Sequence, residues 1–202
     1  MNIKSSLSAF WEFLKKDTWT SWIVSLILLA IFIKLIFFPL LSLATGTTLP
    51  LVIIESCSLY HESSFDTWWS QNNAWYEARN ITKAEFKSFP FKNGLNKGDI
   101  MFVVGEENYK LGNIIIFNPQ PGSSARNPVI HRIVSLNPIA TKGDHNSAQL
   151  TSNNNVDRID ETNISPDRII GKAAFKIMPL AGWLKLIWFE PFRPASQKGF
   201  CR

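Results

Sequence analysis

One apolar stretch limits what this 202-residue chain can fold into more than any other feature. Residues 22–44 read WIVSLILLAIFIKLIFFPLLSLA, which is long enough to cross about 30 Å of hydrocarbon as a helix. A secretory signal has a shorter apolar core and a cleavage site of small residues, so we expect this segment to be retained as an anchor. The sequence therefore predicts a single-pass membrane protein.

The charges on either side of this stretch predict its orientation. Lys4, Lys15 and Lys16 come before it, and no charge follows it until Glu55. The positive-inside rule then places residues 1–21 in the cytoplasm and the rest of the chain outside, at the cell membrane. The first 21 residues, which are basic and aromatic, either lie at the lipid interface or form a frayed terminus.

Lys34 lies near the middle of the predicted span, where a charge costs on the order of 3 kcal/mol. Two interpretations are open. Lys34 faces a partner helix or a water-filled path, or the span is tilted, Lys34 reaches one interface, and Pro39 begins a break in the helix.

Residues 45–192 have enough length for one hydrophobic core, and residues 193–202 follow as a tail. Short runs rich in Ile, Val and Phe, separated by Gly, Pro and Asn, predict a compact, mainly β domain. The candidate strands are residues 100–104, 113–117, 129–134 and 169–177. The polar, Asn-rich residues 147–166 are predicted to form a surface loop. Residues 179–192, PLAGWLKLIWFEPF, either complete the core or enter the lipid interface.

An aromatic-rich insertion occupies residues 63–96. A lid, a membrane-facing insertion and a small core under a long loop would all use its Trp and Phe side chains, and residues 75–89 could form a helix. The segment also contains an Asn80-Ile81-Thr82 sequon, and a second sequon begins at Asn163. The sequence does not decide whether either asparagine carries a glycan.

The net charge is +5, but the basic residues are scattered and accompany no nucleic-acid-binding motif. We therefore expect no nucleic acid partner. The two cysteines, Cys57 and Cys201, lie far apart in the sequence, so a disulfide between them is possible but unsupported by the sequence.

Three short segments contain residues that could perform chemistry: Ser56-Cys57-Ser58, the apolar run around His131, and the Thr-Lys-Gly-Asp-His-Asn motif that contains Asp144. A serine hydroxyl becomes a nucleophile when a histidine removes its proton, and a carboxylate then orients the imidazole. Other interpretations are a satisfied core histidine for His131 and a turn residue for Asp144. By residue type alone the pattern is weak.

The order of these segments and their residue types resemble those of the type I signal peptidases of the archaeal and endoplasmic-reticulum kind. The matching blocks are Ser56-Cys57-Ser58-Leu59, Gly98-Asp99-Ile100, Ile130-His131-Arg132, Thr141-Lys142-Gly143-Asp144-His145-Asn146, Ile170-Gly171-Lys172-Ala173 and Pro179-Leu180-Ala181-Gly182-Trp183. The resemblance covers about residues 22–190. It implies a signal-peptidase-like β-barrel domain that follows the single anchor.

The resemblance also implies roles for individual residues. Ser58 would be the nucleophile, His131 the general base and Asp144 the orienting acid, while Ser56 would help to form the oxyanion hole. Arg132 would be structural. Because the family often has a further Asp beyond Gly-Asp-Asn, the alternative third members are Asp157 and Asp160.

Two positions depart from the family pattern, because Cys57 replaces the usual Gly and Leu59 the usual Met. The implied function is a membrane-bound serine endopeptidase, without metal or cofactor, that removes signal peptides after small residues of the Ala-x-Ala type. Its implied partners are preproteins, the lipid bilayer and the translocation channel. The alternatives are an inactive anchored β-domain that binds lipid or a protein, and a thiol peptidase that uses Cys57 with His131.

Overall fold

The computed structural model of the protein describes residues 3–201. The chain divides into two compact units, Met1–Ala44 and Thr45–Arg202. The first unit contains helix α1, Ile3–Leu14, and a continuous helical run that extends from Trp19 to Thr45. This run is 27 residues long and is apolar enough to cross a membrane, so the predicted apolar helix over residues 22–44 is confirmed.

The long helical run has three parts: α2 at Trp19–Phe32, a π-helical turn at Ile33–Phe37, and α3 at Phe38–Thr45. Thr18 caps its beginning and accepts a hydrogen bond from the Ser21 N–H at 3.4 Å. The helical run continues through Pro39, so the break that one of the two interpretations of Lys34 placed there is not observed. Proline lacks an N–H and collides with the carbonyl four residues earlier, and the wider π turn directly before it takes up this distortion. Lys34 lies in the π turn with an exposed side chain.

The second unit is built on a curled, six-stranded antiparallel sheet, a half-barrel. Its strands are β1 Leu51–Ile53, β2 Ile100–Val104, β3 Ile114–Phe117, β4 Val129–Leu136, β5 Ile139–Lys142 and β6 Ile169–Met178. Their spatial order is β1-β2-β6-β3-β4-β5. The predicted mainly β domain is confirmed, and all four predicted strands exist. Strand β5 was not predicted because its four residues include one large apolar side chain, Ile139.

The sheet has buried side chains on both faces at its centre, where all four residues of β3 are buried. Ile114 and Ile116 point into one core cluster with Leu59, Met101 and Val103. The alternate residues of β3, Ile115 and Phe117, pack in a second cluster with Ile133 and Ile164. This alternation follows from the two-residue period of a strand. The loop after β1 enters the first cluster through Leu59, which fixes the residues directly before it.

The aromatic insertion folds into a small core rather than an open lid. Its helices are α4, Phe65–Glu77, and α5, Lys83–Ser88. The cluster comprises Phe65, Trp68, Trp69, Tyr76, Ile81, Phe86 and Phe89, and it packs against Val134 of β4. Of the interpretations left open, burial of the aromatic side chains is the one observed.

Residues 179–192 contain helix α6, Trp183–Leu186. Leu186 is fully buried, but Leu184, Trp188 and Phe192 are 82%, 75% and 87% exposed. Short 3₁₀ turns lie at Pro166–Arg168, Glu190–Phe192 and Ala195–Gln197. The segment therefore presents a mostly apolar surface to its surroundings instead of completing the core.

Candidate active site

The segment Ser56-Cys57-Ser58 forms a turn, the serine turn, shortly after edge strand β1. The Ile54 N–H donates to the Asp99 carbonyl at 2.9 Å, and the Ile54 carbonyl accepts from the Gly98 N–H at 2.8 Å. Beyond the turn, the Ser58 carbonyl accepts from the His145 N–H at 2.8 Å. Backbone bonds therefore hold the turn on both sides.

The two serine hydroxyls of this turn lie within hydrogen-bond distance of each other. Ser56 Oγ and Ser58 Oγ are 3.0 Å apart. The Ser56 side chain is on the exposed side of the turn, whereas Ser58 is half-buried. Two hydroxyls this close can face one reacting carbonyl, one as nucleophile and one as hydrogen-bond donor.

His131 lies in β4 and is 4% exposed. Its Nδ1 forms a hydrogen bond to Glu161 Oε2. A Cβ added at Gly143 would lie 2.8 Å from His131 Nε2 and 2.8 Å from the Ser58 carbonyl oxygen, so Nε2 approaches the serine turn beside Gly143. Within residues 3–201, Nε2 forms no direct hydrogen bond to Ser58 Oγ, whose partner is Ser56 Oγ. Such bonds often tighten only when substrate binds.

Glu161 is the carboxylate that the sequence interpretation missed. It is fully buried, and its Oε1 accepts from the Leu150 N–H at 2.8 Å while Thr141 Oγ1 donates to its Oε2 at 3.2 Å. These donors fix the orientation of the carboxylate toward His131. A weak signal was present in the sequence, because Glu161 lies between Ile159 and Ile164 in an otherwise polar loop.

Asp144 does not contact His131, which corrects its expected role as the orienting acid. It accepts from Arg132 Nη2 at 2.7 Å and from Arg132 Nε at 2.9 Å, and its Oδ2 lies 3.1 Å from His61 Nε2. The reason is strand geometry: Arg132 follows His131, and successive side chains of a strand point to opposite faces. Burial raises the pKa of Asp144, but Arg132 and His61 outweigh burial and hold this pKa well below its usual range.

Neither alternative carboxylate reaches His131. Asp157 Oδ1 accepts a hydrogen bond from Ser124 Oγ at 3.3 Å. Asp160 Oδ1 accepts from the N–H and the Oγ1 of Thr162, at 3.0 and 2.6 Å. Both side chains hold the conformation of surface loops, so the structure offers Glu161 as the partner of His131.

Cys57 forms a disulfide with Cys201. Its thiol is therefore not free, and the alternative in which Cys57 is a nucleophile loses its reactive group. The disulfide that the sequence left unsupported is present.

Ser56, Ser58 and His131 open into one cleft of about 750 Å³. One wall comes from the β1 region, and the facing wall from residues 124–130. The β1 wall is lined by Leu49, Leu51, Val52 and Ile53. Among the described residues, no group of three His, Cys, Asp or Glu side chains could hold a metal ion. The cleft combines an apolar wall with a serine and a histidine.

No family model matches the chain, and no curated protein matches it either.

Proposed function

We propose that this protein is a membrane-anchored serine endopeptidase that removes N-terminal signal peptides from secreted preproteins. One observation carries the proposal: His131, which is paired with the buried Glu161, lines the same cleft as Ser58. The resemblance of the sequence motifs to signal peptidases supports the substrate class. The half-barrel sheet that presents this cleft is compatible with that family.

In the proposed reaction, Ser58 Oγ attacks the carbonyl carbon of the scissile bond. His131 Nε2 takes the hydroxyl proton and then gives it to the leaving amine as the C–N bond breaks. Glu161 accepts from the Nδ1–H, which fixes the tautomer and stabilises the imidazolium. Water then hydrolyses the acyl-enzyme, with His131 as its base. Glu161 takes the role first assigned to Asp144.

The oxyanion of the tetrahedral intermediate needs hydrogen-bond donors at the serine turn. Ser56 Oγ, which lies 3.0 Å from Ser58 Oγ, is the side-chain donor, and the Ser58 N–H is the backbone donor. A preorganised donor of this kind contributes on the order of 3 kcal/mol to the transition state.

The substrate binds in this proposal as an added strand. Strand β1 pairs with β2 on one side and is an edge of the sheet, so its other side offers unpaired N–H and C=O groups to an extended peptide. The apolar wall formed by Leu51 and Ile53 then meets alternate side chains of that peptide. Small residues at the first and third positions before the cut fit a wall this close to the serine turn.

The membrane brings enzyme and substrate together. The helical run Trp19–Thr45 anchors the chain, and the exposed side chains of Leu184, Trp188 and Phe192 suit a lipid interface. With the amino terminus in the cytoplasm, the cleft lies outside, at the cell membrane. Its partners are then preproteins that leave the translocation channel, and the bilayer itself.

Cleavage of a preprotein by the full-length protein tests the proposal. The protein is reconstituted in liposomes with a preprotein that carries an Ala-x-Ala site, and the cleaved product is sequenced at its amino terminus. We expect Ser58→Ala to lower kcat by at least about 10³-fold. The matched control is Ser70→Ala, an exposed serine of α4, which should cleave as the wild type does.

Two outcomes contradict the proposal. Cleavage by Ser58→Ala at the wild-type rate excludes the serine mechanism. A folded wild-type protein that cleaves no preprotein supports the alternative of an inactive anchored β-domain that binds lipid or a protein.

A further inference from the structure

Residues 193–201, which we call the strap, return to the serine turn at two points. Cys201 is joined to Cys57, the residue between the two serines, although 144 positions separate them in sequence. Arg193 Nη1 donates to the Glu55 carbonyl at 3.1 Å, and Nη2 donates to the Glu55 carboxylate at 2.7 Å. The strap therefore holds residues 55 and 57, which flank Ser56.

A buried lysine anchors the middle of the strap. Lys97 is 1% exposed, and its Nζ donates to the carbonyls of Gln197 at 2.8 Å and Gly199 at 3.1 Å. It also forms an ion pair with Glu190 at 2.5 Å. Lysine is almost never fully buried unless its charge is paired. Two of the partners of this ammonium are strap carbonyls, so docking of the strap completes its hydrogen bonds while Glu190 balances its charge.

Further contacts hold the strap in one conformation. The Gly199 N–H donates to Glu190 Oε2 at 2.7 Å, and the ring of Phe200 lies 4.4 Å from that of Trp183, centroid to centroid. The outer surface of the strap is exposed. Its order therefore depends on these polar and aromatic contacts and on the disulfide.

The strap also borders the cleft. Gln197 lines the main cleft together with Ser58 and His131. It lines as well a second cavity of about 460 Å³, whose other walls include Ser56 and His145. The strap is thus close enough to the serine turn that a change in its position would change the shape of both cavities.

We propose that the strap is a positioning element for the nucleophile, which rests on the function proposed above. By fixing Glu55 through Arg193 and Cys57 through the disulfide, it sets the backbone conformation of the turn. Ser58 Oγ then faces His131 while Ser56 Oγ faces the oxyanion. A misplacement of about 1 Å in a reacting group can cost about 10²-fold in rate.

The first test removes the covalent tie. In the double variant Cys57→Ala/Cys201→Ala, we expect kcat for the preprotein to fall about 10- to 100-fold. KM should change less than kcat, because the β1 wall, along which the peptide is proposed to bind, is unchanged. Dithiothreitol gives the matched chemical test: it is oxidised to its cyclic disulfide as the Cys57–Cys201 disulfide gains two electrons and two protons. Reduction should slow the wild type and leave the rate of the double variant unchanged.

A second measurement does not depend on activity. Hydrogen–deuterium exchange of the amides of residues 54–60 should be faster in the double variant than in the wild type, while β3 keeps its protection. A stability effect alone would instead raise exchange throughout the sheet. The variant Lys97→Met should accelerate exchange in the same turn, and in the cysteine-free background it should add little further loss of kcat.

The outcomes separate this inference from the proposed function. If the wild type cleaves and the double variant has the same kcat and the same exchange in residues 54–60, the strap does not position the turn. If the wild type cleaves nothing but exchange in the turn responds, the peptidase proposal fails while the strap is still shown to hold the turn. If the wild type is inactive and the amides of residues 54–60 exchange equally fast in the wild type and the variants, both the peptidase proposal and the proposed role of the strap are contradicted.

Discussion

Two buried histidine–carboxylate pairs differ in what surrounds them. His131 pairs with Glu161, and His61 pairs with Asp144. Both pairs are almost completely buried. The ring of His131 borders the cleft of Ser58, whereas the ring of His61 is stacked on Trp68, with centroids 3.7 Å apart. Access to a nucleophile, rather than the pairing itself, distinguishes a candidate site from a structural contact.

The sheet separates these two roles because His131 and Arg132 point to opposite faces. On the second face, Arg132 donates to Asp144, to the Pro90 carbonyl at 2.7 Å and to the Gly112 carbonyl at 3.0 Å. The guanidinium of Arg132 thereby balances the negative charge of Asp144, and both carboxylate oxygens accept hydrogen bonds from it. This network ties the end of the aromatic insertion to the sheet, which is a structural role.

Glu161→Gln should have the largest effect, and it should be on catalysis. A glutamine keeps the shape but no longer selects the tautomer with a proton on Nδ1 or stabilises the imidazolium. In serine peptidases the equivalent change lowers kcat by about 10⁴-fold, and we expect a loss of this size. It is measured as kcat for the preprotein with the reconstituted enzyme.

One result would exchange the roles assigned to Glu161 and Asp144. If Glu161→Gln cleaved normally while folded Asp144→Asn did not, Asp144 would be the carboxylate that acts on His131. Asp66→Asn is the matched control, since that side chain pairs with Lys83 on the surface, does not line the cleft and should keep the wild-type kcat.

Asp144→Asn should act on stability rather than on chemistry. It leaves the guanidinium of Arg132 buried without its counter-charge, and breaking a buried ion pair in this way costs about 3–5 kcal/mol. Urea unfolding followed by tryptophan fluorescence measures the loss in free energy of unfolding. Activity per folded molecule should remain close to that of the wild type. A large fall in kcat at full folding would show that the network reaches the chemistry.

Gly143→Ala should have an intermediate effect, because Gly143 lies between the His131 ring and the Ser58 backbone. The new Cβ would lie 2.8 Å from both His131 Nε2 and the Ser58 carbonyl. Displacing either group should lower kcat by about 10²-fold with a smaller change in KM. At Gly122 a Cβ meets nothing within 4 Å, although φ is +90°. Gly122→Ala therefore adds a Cβ that meets no neighbouring atom, and it should cost stability but not activity.

Several features of the fold followed from local patterns in the sequence. The apolar helix and four strands could be predicted because their apolar periodicity is set by membrane thickness or by burial on the sheet. Strand β5 could not, since it depends on pairing with β4. The π turn before Pro39 was also missed, because proline signals a distortion without saying how the helix accommodates it.

The residues of the candidate site were harder to predict from the sequence than the fold. Ser58 and His131 have residue types and neighbours that indicate chemistry from the sequence. The carboxylate is different, because its role depends on which loop returns to Nδ1 of His131. Asp144 is close to His131 in sequence but lies on the other face, while Glu161 comes back from a polar loop that looked exposed. Strand alternation could have placed Asp144 on the other face. Ile159 and Ile164 indicate that Glu161 could be buried, but they do not indicate that its partner is His131.

The smallest predicted effect concerns Lys142, whose side chain lies beside the Asp144 network. Burial lowers the pKa of Lys142 to about 8, although Asp144 raises it. From about pH 8 to about pH 10 the unfolded chain therefore binds more protons than the folded one, so stability rises with pH by at most about 1.4 kcal/mol per unit. Above about pH 10 the rise should end, because the lysine of the unfolded state then also loses its proton, near its usual pKa of 10.5. Stability should then fall, because burial raises the pKa of Tyr76 well above its usual value of 10.0 and only the unfolded state loses that proton.

Lys142→Met should remove this slope while leaving kcat within a few-fold of the wild type, because Lys142 Nζ donates to the Gly143 carbonyl at 3.0 Å and not to the reacting groups. The measurement is the free energy of unfolding in urea at several values between pH 7 and pH 10. Lys83→Met is the matched control, since Lys83 is half-exposed and pairs with Asp66 on the surface. If Lys142→Met keeps the wild-type slope, the lysine is not the titrating group. Water would then reach the network around Asp144 more readily than the burial of its residues indicates. The His61–Asp144 and His131–Glu161 pairs would then differ only in their position relative to Ser58.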